Sequence, residues 1–223
     1  GGSKGIPRKN IALLNNKPLI SYTINAALKA ENITDTVVST DDKEIADISR
    51  NLGALVPFQR PLNLATDEAE SAPVIDHALC FMEQKMGYKY DAILMLQPTS
   101  PLRTSKHIDD SINLYQSREC DSLVSIVSVG GNHPLRMKLF DGESLRNYID
   151  QGFWNMLPRQ SLPKVYIRNG SIYLISIEAF NKYKQLIGKN CLGYEMTDIE
   201  SVNIDSRIDL LVAEILIKER DND

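Results

Sequence analysis

The first ten residues, GGSKGIPRKN (Gly1 to Asn10), combine three glycines with the cations Lys4, Arg8 and Lys9 and contain no acid. Glycine lets a backbone approach a phosphate closely, and free N–H groups with cationic side chains can then surround a triphosphate. A basic, glycine-rich terminus also describes a solvated tail. The loop reading is favoured because Ile11 to Ala30 continues without pause into an apolar turn and a helix. A second segment, Leu94-Met95-Leu96-Gln97-Pro98-Thr99-Ser100-Pro101-Leu102-Arg103, carries an apolar strand into two prolines and several polar groups. The carboxyl ends of strands in a parallel sheet border the ligand crevice, which places Gln97 to read a polar substrate. Arg103 has two readings, anion binding or anchoring of the loop.

Two further groups complete the chemistry. Arg159, Asn169-Gly170 and Tyr173 bracket or lie on a later strand. A guanidinium holds a carboxylate through two parallel hydrogen bonds, so an arginine here suits an acidic ligand, while Tyr173 could equally belong to the core. In Ser201-Val202-Asn203-Ile204-Asp205, alternation puts Asn203 and Asp205 on one side of a short strand, with Asp209 opening the last helix. Magnesium takes oxygen ligands, usually one or two carboxylates plus substrate phosphates, so this face could hold it; the alternative is that Asp205 caps the helix. His77, His107 and His133 lack any spacing that implies a metal site or a nucleophile relay.

The elements that must position these groups alternate β-branched runs with segments of helical period, the pattern of an α/β fold with a mostly parallel nucleotide-binding sheet flanked by helices. Asp35–Thr40, Ala92–Leu96, Ser122–Val127 and Ser171–Ile175 read as strands, the near-continuous apolar ones central. Helical faces are marked by Ile20, Ile24, Ala27 and Leu28, by Val74, Ile75, Ala78, Leu79 and Met82, and by Ile208, Leu211, Val212, Ile215 and Leu216. Asp41 with Glu44 suggests a helix cap after the first of these strands. From about Gly130 to Lys164 the period lapses amid glycines and prolines, an excursion that serves as an oligomer contact, a lid or a plain surface loop.

With 223 residues, 43% of them hydrophobic, the chain is expected to form one domain, residues 1–223, with that excursion at about 130–164. A net charge of −4 argues against a general nucleic-acid binder. Cys80, Cys120 and Cys191 are too scattered for a disulfide framework or zinc spacing. No apolar run reaches the roughly 18 residues of a membrane span, so the cytoplasm is the expected location. A phosphate loop of this kind follows a central strand, so residues upstream of Gly1 are expected.

These segments together resemble the acylneuraminate cytidylyltransferases, the synthetases of CMP-sialic acid and of related CMP-linked nonulosonic acids such as legionaminic and pseudaminic acid. GGSKGIPRKN is similar to that family's nucleotide loop, which implies contacts from Ser3, Lys4, Lys9 and Asn10 to CTP. VSTDDKEI resembles the stretch after its second main strand, and RPLNLATDEAES the segment that puts Arg60 beside the nucleotide and Ser71 beside the sugar. LQPTSPLR makes Gln97 a sugar-binding candidate, and RQSLPKVYIRNGSIYLI implies Arg159, Asn169 and Tyr173 around the acidic sugar. The resemblance further implies Mg2+ at Asp205 and Asn203, catalytic roles for Lys4, Lys9 and Asp205, and a small inserted element that makes a homodimer. The implied reaction joins CMP from CTP to the anomeric hydroxyl of a nine-carbon acidic sugar, with release of pyrophosphate. Two departures stand out. The family's first strand and an arginine before the glycine pair are not in this sequence, and Asn203 replaces a frequent aspartate. An eight-carbon keto-acid sugar and a non-catalytic nucleotide-binding relative remain alternatives.

Overall fold

The computed structural model describes residues 5–66, 68–150 and 158–222, so Ser3 and Lys4 lie outside the described residues. A short turn at Lys9–Ile11 leads to two paired strands, β1 (Leu13–Leu14) and β2 (Lys17–Pro18), and into helix α1 (Leu19–Leu28). Ile20, Ile24 and Ala27 are buried as their spacing predicts, whereas Leu28 is exposed. The Asp35–Thr40 run, expected as a strand, forms one parallel bridge, Val37 to Leu55. A strand needs a ladder, and beyond that bridge the described residues give this run one other backbone hydrogen bond to a neighbouring segment, from Arg60 N–H to the Thr40 carbonyl at 2.9 Å. Helix α2 (Lys43–Asn51) follows, capped by Asp42 and not by Asp41. Asp42 Oδ1 accepts from the N–H groups of Glu44 at 2.8 Å and Ile45 at 3.1 Å, the donors two and three positions ahead that a cap must reach.

After α3 (Ser71–Met86) come β3 (Ala92–Leu96), α4 (Ser105–Gln116) and β4 (Ser122–Ser128). The expected excursion holds an antiparallel hairpin, β5 (Lys138–Phe140) and β6 (Leu145–Asn147). The long β7 (Tyr166–Ser176), α5 (Ile177–Tyr183), β8 (Cys191–Glu195) and α6 (Arg207–Asn222) complete the order. The main sheet runs β3-β7-β4-β8. β3, β4 and β8 share one direction, as a mostly parallel sheet requires, but β7 runs against them between β3 and β4. The sheet is therefore mixed, because a chain that leaves β4 and returns at the same end can re-enter only antiparallel. β3, expected to be central, stands at an edge of this order. β8 was not expected from the sequence, since Gly193 interrupts its apolar pattern; a Cβ there would lie 2.7 Å from Ile126 Cδ1. Helices α1 and α4 cover the sheet through Ala26, Ala27, Ile108 and Ile112, packed on Leu123, Ile172 and Leu174.

The last helix turns a different face inward from the one its pattern suggested. Ala213 and Ile217 are fully buried against Leu14, Leu19 and Ile204, and of the expected face only Leu216 packs partly against them, while Ile208, Leu211, Val212 and Ile215 are exposed. Both faces are apolar, and the small Ala213 permits the closer approach.

β7 slips against β4. Val124 faces Tyr173 while Ile126 faces Arg168, so Ser125 alone stands opposite four residues of β7, Asn169 to Ile172. Such a bulge frees backbone groups from the ladder, and buried ones must find other partners. Ser125 Oγ accepts from Ile172 N–H at 2.8 Å, and Asn169 Oδ1 accepts from Ser171 N–H at 3.1 Å. The Ser171 carbonyl accepts from Arg103 Nη1 at 2.7 Å.

Arg103 is thus the anchor of the two readings that its sequence context allowed. It is 2% exposed and also donates to the Gln97 carbonyl at 3.3 Å and to Thr23 Oγ1 at 2.6 Å. Burial pushes its pKa down to about 9, which still leaves it charged at neutral pH. Replacing it strands buried acceptors on three elements. Arg103→Met is expected to destabilise the fold by about 2–4 kcal/mol. That corresponds to a fall in Tm of roughly 4–16 °C for a chain of this size, measurable by thermal denaturation.

Candidate active site

The N-terminal loop is fixed at two points. Arg8, in a left-handed conformation at φ 52°, pairs with Asp42 at 2.8 Å and Glu44 at 2.7 Å, which ties the loop to the start of α2. Hydrogen bonds from Ile45 N–H and from Arg8 hold the Asp42 carboxyl below the usual range against the opposing effect of burial. On the other side, Lys9 Nζ donates to the Ile204 carbonyl and to Asp205 Oδ1, both at 2.9 Å. Gly5 presses against the same segment: a Cβ on it would lie 2.3 Å from the Asp205 carbonyl oxygen.

Residues 201–205 form no strand, yet Asn203 and Asp205 do share a side, as alternation suggested. Asn203 Nδ2 donates to Asp205 Oδ2 at 2.5 Å, and Ile204 is wholly buried behind them. Ile204 N–H donates to the Thr99 carbonyl at 2.8 Å, joining this segment to the turn after Gln97. Asp205 does not cap α6. Ser206 and Asp209 do so reciprocally: Asp209 Oδ2 accepts from Ser206 N–H at 2.7 Å, and Ser206 Oγ accepts from Asp209 N–H at 3.4 Å. The Asp205 carboxylate is left to Lys9 and Asn203.

Beside this segment lies a cavity of about 440 Å³, within the range of small-molecule sites, lined in part by Gln97, Arg168, Gly170, Tyr173, Ser201 and Asn203. Gln97 reaches it from the carboxyl end of β3, as expected. Its Oε1 would come within 2.8 Å of a Cβ at residue 170, where Gly170 adopts φ +78°. Asn169 also borders the cavity, but its side chain is committed. It accepts from Ser125 Oγ at 2.5 Å and donates to Ser201 Oγ at 2.8 Å and Met196 Sδ at 3.4 Å. Asn169 therefore holds the cavity wall together.

Of the other expected residues, Asn10 lies in the turn beside Lys9. Arg60 is half-buried, its guanidinium taken by the hydroxyl and carbonyl of Ser39, and Ser71 starts α3. Neither Arg60 nor Ser71 lines the cavity. Arg159 lines a second cavity of about 420 Å³ with Gly130 and His133. His107, unremarkable in sequence, has a structural task. Its Nδ1 accepts from Thr104 N–H at 3.2 Å, so Nε2 carries the proton and donates to Glu200 Oε1 at 3.0 Å. This ties α4 to the turn that carries Ser201. Arg168 was missed altogether.

A glycine-bearing basic loop docked on a carboxylate, next to a polar cavity at the end of a sheet strand, is the arrangement of a nucleotidyltransferase. Residues 1–186 match the family described as Cytidylyltransferase. The chain is 34% identical to an N-acylneuraminate cytidylyltransferase of Escherichia coli O18:K1:H7, covering 99% of this chain and 51% of that protein. It is also 34% identical to a CMP-N,N'-diacetyllegionaminic acid synthase of Legionella pneumophila, over 97% of this chain and 92% of that protein. Its fold is similar to that of a CMP:2-keto-3-deoxy-manno-octonic acid synthetase solved with CTP, at a TM-score of 0.69 and 15% identity over 98% and 95% of the two chains. The chain belongs to the cytidylyltransferase family.

Gly5 offers a direct test of the loop's docking. Gly5→Ala forces the loop away from Asp205 and is expected to lower turnover by about 10- to 100-fold, with little change in Tm, as a small misplacement of a positioning group does. Unchanged turnover in steady-state kinetics would detach the loop from the site.

Proposed function

We propose that the protein transfers CMP from CTP to the anomeric hydroxyl of a nine-carbon acidic sugar and releases pyrophosphate. The observation that carries this reading is the placement of Gln97 and Tyr173, at one cavity, beside the segment where Lys9 meets Asp205. The relatives named for sialic and legionaminic acids favour the same class of acceptor.

In this reading the sugar hydroxyl attacks the α-phosphorus while Gln97 and Tyr173 orient the ring, and pyrophosphate leaves. Lys9, with Lys4 in the same loop, neutralises the triphosphate, and Ser3, Asn10 and Arg60 add contacts to the nucleotide. Positioning and charge neutralisation supply most of the rate, as is usual for transfers at phosphorus. Asn203 Oδ1 is buried and has no hydrogen-bond partner among the described residues, and it sits beside the Asp205 carboxylate. An amide oxygen with one carboxylate is a sparse donor set, of the kind Mg2+ accepts when phosphates complete its shell. Among the described residues no cluster of three or more acids, histidines or cysteines offers a richer site. Bound at Asp205 and Asn203, Mg2+ would neutralise charge developing on the phosphates.

The excursion supports a homodimer: Phe140 is 68% exposed, Leu145 49% and Tyr148 59%, an apolar surface on a hairpin outside the main sheet. A cytoplasmic location agrees with the use of CTP, and no described helix is long and apolar enough to cross a membrane.

Two measurements test these readings. With CTP and Mg2+, pyrophosphate release is expected with at least one of sialic, legionaminic and pseudaminic acid and more weakly with the eight-carbon analogue. Lys9→Ala should cut that release by about 100-fold, in line with the loss of a charge-stabilising donor. Release with the eight-carbon sugar alone would move the acceptor to that class. Light scattering should give a dimer mass, and Phe140→Lys should shift it toward the monomer.

A further inference from the structure

The N-terminus of α4 is closed by a capping box in which His107 takes the third helical position. Thr104 Oγ1 accepts from His107 N–H at 3.3 Å, and His107 Nδ1 accepts in return from Thr104 N–H at 3.2 Å. Glutamate or glutamine ordinarily fills that position, because one acceptor atom is all the cap requires. Histidine adds a donor on the far side of its ring, and here Nε2 donates to Glu200 Oε1 at 3.0 Å. The contact is sheltered, with the imidazole 12% and the carboxylate 34% exposed. Glu200 also closes its own turn: Oε2 accepts from Thr197 N–H at 2.9 Å, and Ser201 N–H donates to the Thr197 carbonyl at 3.0 Å.

The segment that runs from Glu200 to Asp205 is pinned at three points, Glu200 by His107, Ser201 by Asn169 and Ile204 by Thr99. Thr99 and His107 belong to one stretch of chain, the turn that leaves β3 and the start of α4, so a single stretch grips the segment at both ends. The buried, unpartnered Asn203 Oδ1 lies between those grips. We infer that His107 is a positioning residue for the metal: acting through Glu200, it sets where Asn203 and Asp205 present their oxygens to Mg2+. This rests on Mg2+ binding at those two residues, as proposed above. Mg2+ demands near-ideal octahedral geometry, and one amide oxygen with one carboxylate leaves little to compensate for a displaced donor. Groups that hold metal ligands in place contribute about 10- to 100-fold to affinity.

Mn2+ binding, followed by loss of the free-ion EPR signal with neither nucleotide nor sugar present, tests this apart from turnover. His107→Glu keeps an acceptor for Thr104 N–H but offers Glu200 no donor. Its Tm should stay close to that of wild type while its Kd for Mn2+ rises about 10-fold. Glu200→Ala should weaken binding to the same extent, and the double variant should be no worse than either single change. His107→Gln, whose amide supplies both an acceptor and a donor, should recover part of the affinity. The Mg2+ concentration for half-maximal pyrophosphate release should rise in parallel. Wild-type Mn2+ affinity in His107→Glu, or losses that add in the double variant, would overturn the assignment. Mn2+ binding that Asp205→Ala does not weaken would sink the metal reading and this assignment together, whereas Asp205-dependent binding left intact by His107→Glu would sink the assignment alone.

Discussion

Four residues of β7 stand opposite one residue of β4, and the buried backbone between them has to be satisfied by something other than a ladder. Ser125, Asn169 and Arg103 do this from three different elements, and each has a second task. Ser125 supports Asn169, Asn169 holds Ser201, and Arg103 grips the carbonyl of Gln97. The residues that permit the slip are therefore the same ones that shape the cavity. Gly170 belongs to this arrangement, since its left-handed backbone lets the Gln97 amide lie against β7. An uninterrupted ladder would close this gap and turn Arg168 away from Tyr173.

The N-terminal loop depends on the cavity's far wall. Its anchor, Asp205, lies two residues beyond Asn203, and Ile204 between them is pinned both by burial and by its bond to Thr99. The turn after Gln97, the metal-binding candidates and the cationic loop consequently form one connected block. Arg8 extends it to α2, and the His107–Glu200 contact extends it to α4. Hydrogen bonds from Thr197 and His107 keep the Glu200 carboxyl below its usual range although burial opposes this, so the contact holds a charged acceptor at neutral pH.

Much of this was legible in the residues. Gln97 could be placed because a strand of five apolar residues ends immediately before it, and strand ends face ligands. Asn203 and Asp205 could be paired by alternation even though no strand forms, because burying Ile204 turns its neighbours outward together. What escaped were features that depend on register. Arg168 is invisible to a period of two, because the slip that re-aims it is produced by Ser125, more than forty positions away in sequence. Asn169 borders the cavity, but the bonds of its side chain within the wall could not be seen, because an exposed asparagine and a fully bonded one look alike in sequence. Arg159 lies where the period lapses, and nothing local fixes which cavity it faces. The inner face of α6 was misjudged because both of its faces are apolar and small size, not hydropathy, decided between them.

The complete bonding of Asn169 also divides the cavity by evolvability. It uses both amide hydrogens and its carbonyl oxygen within the protein, so even the isosteric Asn169→Asp would set an acceptor where the wall needs a donor. Ser125 and Arg103 are likewise committed to the protein, and changes there cost stability. Gln97, Ile167, Arg168 and Tyr173 carry no such duty in their side chains. Drift toward a new acceptor can proceed through these four positions while the wall behind them stays fixed, which lets one scaffold explore a series of related sugars by single, separable steps.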